Sequence, residues 1–238
     1  MVVKVFAEDS SERFDLSVDA VHAEVTLDFP STVHVAWIDE SGLWYGLYDD
    51  GTWSQLELSA EKVERVLIVS DGFSAHIVYT QSIKDADTNL SRSELIHRMI
   101  DEGEPGAESL LFSSKAALEH MDLTLEDDGV VRAGFVESGN AEIILADWSN
   151  GEWALRNVPV PTSDPGPLAL ASNTDQGLCV AFIADQGQEL WYGRLSEDEF
   201  EPVASSEYLD FYFGVDLGFR KNGEPRFFRA RYRDRSNN

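Results

Sequence analysis

The sequence predicts an all-β chain: a five-bladed β-propeller of four-stranded antiparallel blades, its ring closed by an N-terminal strand. Three observations predict it. Residues 33–37, 75–79, 131–135, 178–182 and 215–219 each end in an aromatic: Trp37, Tyr79, Phe135, Phe182 and Phe219. These anchors lie 42, 56, 47 and 37 residues apart, about the length of one blade. After Trp37, Phe135 and Phe182 come polar, Gly-bearing turns (38–42, 136–140, 183–187) and then β-rich runs, the pattern of a hairpin. Asp50-Gly51 and Asn150-Gly151 mark a second hairpin turn, and Trp53, Trp153 and Phe200 each stand eight residues beyond Tyr45, Leu145 and Tyr192.

Each unit then reads as four strands. The first strands are expected at 24–29, 63–69, 121–126, 167–172 and 208–213, just ahead of the anchored second strands. Four of the five anchors follow an Ala or Gly (Ala36, Gly134, Ala181, Gly218), which lets one sheet approach the next closely. In the second unit, residues 89–100 supply the third strand, because Glu94-Leu95-Ile96 matches Glu189-Leu190-Trp191; residues 82–92 before it read as a long polar loop. Residues 114–120 read as a short helical turn. The Pro-rich stretch 159–167 falls where one blade passes to the next. The units therefore span about 20–60, 61–114, 118–160, 166–206, and 207–232 with 1–19, within a single domain 1–238. The last unit ends after its third strand, at 224–232. Phe14-Asp15-Leu16-Ser17-Val18 aligns with the outer strand at Phe200-Glu201-Pro202-Val203 and is expected to complete it, removing a bare sheet edge. Residues 2–7 are either an extra strand or a competitor for the place of 226–232.

Composition narrows the function. Forty-four acids against 18 bases give a net charge of −26, which argues against nucleic acid, whose phosphates call for Lys and Arg. Acid excess with 5 Lys beside 13 Arg fits a salt-adapted surface or simply an acidic protein. The lone Cys179 excludes an internal disulfide framework, and no apolar run is long enough to span a membrane as a helix. The first residues do not read as a signal peptide, so the expected location is the cytoplasm, or the cell surface or exterior if such a segment has been removed. No cofactor motif is present: there is no Gly-x-Ser-x-Gly elbow and no phosphate-cradling loop.

The repeat resembles those of sialidase-like and related bacterial β-propellers, in which an apolar-aromatic strand precedes a Gly turn and a Leu-Trp-Tyr strand. Five units in 238 residues are also similar in size to the tachylectin-like five-bladed lectins. Asp49-Asp50-Gly51-Thr52-Trp53 approaches the sialidase Asp-box but lacks its leading Ser, and the sialidase arginine triad has no counterpart. The resemblance implies a propeller that binds carbohydrate.

Candidate chemistry lies in three places. The turn acids Asp39, Glu137 and Asp185 either bond nearby backbone N–H groups or form a lectin-like rim with Trp44 and Trp191 as stacking platforms. On the first strands, Asp28, Asp122 and Asp210 are either solvated channel lining or, as in arabinanase-like glycosidases, paired acid and base. His34, His76, Arg132, Cys179 and Asp216 share one repeat position, and a structural role for each outweighs a metal site there. The basic C-terminal stretch, with Arg229, Arg231 and Arg233 on one strand face, either docks an anionic partner or pairs with the acidic N-terminus. The expectation is a non-catalytic module for a carbohydrate or a protein surface. The alternatives are a glycan-active hydrolase and a purely structural domain.

Overall fold

The structure is a computed structural model that describes residues 2–7, 10–15, 20–28, 32–72, 74–84, 91–126, 129–184, 189–196, 199–205 and 214–229. Every regular element among them is a β-strand, and no helix is long and apolar enough to cross a membrane. The chain folds as two compact units, residues 1–115 and 116–238.

In the first unit β1 (Val2–Ala7) and β2 (Ser10–Asp15) form a hairpin. The first sheet is a meander of β3 (His22–Asp28), β4 (Thr32–Asp39), β5 (Gly42–Asp49) and β6 (Thr52–Ser59). The second repeats it with β7 (Val63–Ser70), β8 (Ser74–Lys84), β9 (Ser91–Asp101) and β10 (Glu104–Ser114). In the second unit the third sheet is β11 (Leu118–Leu125), β12 (Val131–Glu137), β13 (Glu142–Ser149) and β14 (Glu152–Pro159). The fourth is β15 (Leu168–Asn173), β16 (Gly177–Ala184), β17 (Glu189–Arg194) and β18 (Glu199–Ser205), and β19 (Val215–Phe219) with β20 (Pro225–Arg229) forms a two-stranded sheet. All pairs are antiparallel, as hairpin connections require.

Turn chemistry sets the register. Asp50 and Gly51 (φ 44° and 76°) and Asn150 and Gly151 (φ 54° and 84°) both take the positive φ of the tight turn whose twist suits a hairpin. Glu102 and Gly103 (φ 49° and 82°) do the same between β9 and β10, a third instance not singled out in the sequence.

Alternation then sends successive side chains to opposite faces. Trp37, Tyr79, Phe135 and Phe182 are all fully buried. Tyr79 packs back on Ala36, Ile38 and Tyr45 of the first sheet, and Phe182 packs back on Val136, Ile143 and Leu145 of the third. The small residues before Trp37, Phe135 and Phe182 face the following sheet. Ala36 clusters with Val66 and Ile68 of β7, and Ala181 with Leu217 of β19. A Cβ on Gly134 would lie 3.1 Å from Leu170 of β15. That is the close approach the repeat implies.

Four expectations need correction. Phe219 is not a second-strand anchor: β19 lies against β15 and β16, as β7 lies against β3 and β4, so it holds the first-strand place of its repeat. Val215, Leu217 and Phe219 turn one face towards Ala181, and Gln176 of the β15–β16 turn donates to the Gly223 carbonyl of the β19–β20 turn (2.8 Å). The pair Gly218-Phe219 imitates the anchor motif, while the expected first strand at 208–213 lies outside the described residues. Residues 114–120 form no helical turn; β10 ends at Ser114, β11 begins at Leu118, and a bulge with His120 at φ 51° absorbs the irregularity. Of the loop expected at 82–92, residues 82–84 and 91–92 belong to the ladder, with Ser82 opposite Ser93 and Lys84 opposite Ser91, because both strands continue past their neighbours' length; residues 85–90 lie outside the described residues. The segment 2–7 is a strand, and its partner is the N-terminal strand itself, Val3 standing opposite Phe14; residues 16–19 of the expected closing strand lie outside the described residues.

Candidate functional site

The turn between β4 and β5 shows how an acid and an aromatic come together. Asp39 Oδ1 accepts from the Ser41 N–H (2.8 Å), the Ser41 hydroxyl (2.6 Å) and the Gly42 N–H (3.3 Å), a short side chain closing its own turn. The same oxygen accepts from Trp44 Nε1 at 3.2 Å, and that indole also donates to Ser41 Oγ at 2.9 Å. Trp44 lies parallel to Trp37 at 6.1 Å, and Trp37 in turn lies against Trp53 at 6.4 Å. Trp44 is therefore half-buried, fixed on one edge by a carboxylate and packed on the anchor.

The fourth sheet repeats the arrangement with another acid. Trp191 Nε1 donates to Glu189 at 2.9 Å, and the indole is parallel to Phe182 at 6.5 Å. Glu189 and Trp191 are two residues apart on one strand, so they share a face; that spacing was the signal by which Glu189 could have been singled out. The strand beneath is shaped by glycine. A Cβ on Gly193 would meet the Phe200 ring at 2.5 Å, and one on Gly46 would collide with Trp53. Only a residue without a side chain lets the fourth-strand aromatic lie across the third strand towards its anchor. The third sheet has Ala146 at the matching place, and its Trp153 tilts against Trp148 instead (5.3 Å, 49°).

The other expected residues scatter. Glu137 is half-buried at the end of β12, and its carbonyl accepts from Asn140 N–H (2.9 Å). The third-strand residues matching Trp44 and Trp191 are Ile144 and Ile96, with Glu142 held by Asn157 (2.7 Å) and Glu94 by Arg92 (2.8 Å). Asp122 Oδ2 accepts from the Leu170 N–H of the next sheet's first strand at 2.6 Å, a link between sheets. Asp28 stands opposite Thr32 in the β3–β4 ladder. Asp185 and Asp210 lie outside the described residues.

The shared polar position of the second strands finds partners within its own sheet. His34 Nδ1 meets Tyr45 Oη at 2.7 Å, and His76 Nδ1 meets His97 Nε2 at 3.0 Å with the two rings parallel at 5.2 Å. Arg132 bonds Asp147 (2.6 Å) and Glu126 (2.8 Å); burial works against its charge, but the two carboxylates outweigh it and hold the pKa above the usual arginine value. Tyr192 donates to Gln176 (2.6 Å) and lies 3.2 Å from Cys179 Sγ, and burial followed by the thiol raises its pKa. Burial lowers both imidazoles, and the neighbouring His76 helps to push His97 down to about 3. Asp216, the fifth of the set, is exposed on β19 and accepts from the Leu217 N–H (2.8 Å). Among the described residues no group of three or more His, Cys, Asp or Glu could hold a metal ion.

Meanders of four antiparallel strands, packed by alternating anchor and small residues, define an all-β repeat protein whose sheets are propeller blades. Known structures place it further. No protein-family model matches the sequence, and no curated protein matches it. Among solved structures, a PL25 ulvan lyase aligns with a TM-score of 0.55 at 9% identity over 83% of this chain and 57% of its own. The GH93 α-L-arabinofuranosidase of Fusarium graminearum in complex with arabinobiose aligns with a TM-score of 0.57 at 11% identity, over 88% of this chain and 74% of its own. The chain thus spans little more than half the length of the lyase. These neighbours are β-propellers, so the fold class is a β-propeller, and five blades fit the four complete sheets with a smaller fifth.

Proposed function

We propose that this chain is a single propeller domain acting as a non-catalytic, lectin-like module whose ligand is a carbohydrate. The observation that carries it is the tryptophan whose indole N–H is held by a carboxylate of its own hairpin, present in the first and fourth sheets: Trp44 with Asp39, and Trp191 with Glu189. An aromatic held at a fixed angle beside a carboxylate suits the apolar face and polar rim of a sugar ring. The glycan-active neighbours support a carbohydrate relation. The test is a glycan array with the whole chain, followed by titration of the bound glycan against Trp44→Ala and Trp191→Ala. Each change should weaken binding by about three- to tenfold, the worth of one aromatic contact. Failure of every glycan to bind would overturn the reading and leave a protein surface as the ligand.

A second reading, hydrolysis of glycans, is favoured by the arabinofuranosidase neighbours. Against it, Asp122 is already committed to the Leu170 N–H. Turnover of chromogenic arabinofuranosides, lost on replacing Asp28 or Asp210 by Asn, would establish it in place of the lectin.

A further inference from the structure

We draw no further inference here: the strongest candidate, the groove of about 320 Å³ over β17 and β18 lined by Tyr192, Arg194, Glu199 and Glu201, lies on a sheet face for which nothing in the structure shows what covers it.

Discussion

Where the fourth sheet lays Phe200 across Gly193 and ties Trp191 to Glu189, the second sheet puts Arg98 and Ile96 at the same two places. Arg98 reaches out to the carbonyls of Leu58 (2.5 Å) and Gly106 (3.0 Å) and to Glu108 (3.3 Å). Inside, the fourth sheet pairs a thiol with a phenol, and the second pairs two imidazoles. Both nonetheless bury the same aromatic anchor and the same apolar alternation. The repeat conserves what packs one sheet on the next. Positions that face outward, or that close a polar pair within a sheet, are free to differ. The proposed ligand site is therefore a property of particular sheets, the first and fourth, and not of the repeat.

The largest expected effect concerns the frame that both sheets share. If the N-terminal segment closes the ring as the sequence leads one to expect, deleting residues 1–19 should lower stability by several kcal/mol and cause aggregation through exposed edges. A truncated protein that stays monomeric with an unchanged Tm would remove closure from the fold.

Acid should separate the sheets next. His97 stays neutral in the folded second sheet down to about pH 3, whereas the unfolded chain protonates it near its ordinary value of 6.5. Stability present above pH 6.5 should therefore fall by a few kcal/mol between about 6.5 and 3. His97→Tyr installs the residue that the fourth sheet carries at the matching position, Tyr192. Urea midpoints at pH 7.5 and 4.5 should lie closer together in this variant than in the parent; equal gaps would show that the imidazole pair does not govern the response.

A smaller loss tests the shared packing. Gly134→Leu should overpack the space against Leu170 and cost about 1–3 kcal/mol, read as a shift in urea midpoint. No shift would mean that the sheets do not meet at this residue.

Salt should act least and on all sheets alike. A net charge of −26 repels itself, and screening relieves it, so Tm should rise from dilute buffer to molar salt. A flat or falling curve would leave the acidic surface without a stabilising role for salt.

The strand order of the four complete sheets was legible because anchors, Gly turns and fourth-strand aromatics recur in one register. Phe219 misled because Gly218-Phe219 carries the local motif without its context: strand rank is decided by the sheet a strand packs against, which is a long-range property. The lengthened β8–β9 ladder was hidden because its polar residues Ser82 and Arg92 read as loop, although two extended strands can pair backbone to backbone whatever their side chains. Asp39 and Trp44 were legible as a pair because the turn that joins them is local. Glu189 was overlooked in favour of Asp185, since a turn acid is the commoner partner of backbone N–H groups. The link from Asp122 to Leu170 spans 48 positions, and no spacing rule reaches that far.

The contact between Gly193 and Phe200 also couples the side chains that the two positions can carry. A side chain at residue 193 requires that the ring at 200 shrink or move and that the Glu199 carbonyl, equally close at 2.5 Å, give way as well. Gly46 and Trp53 obey the same rule. The third sheet, with Ala146 and a displaced Trp153, shows the arrangement that admits a side chain there. Two blades of one molecule thus hold a ring across a bare strand, and a third, with one methyl added there, does not.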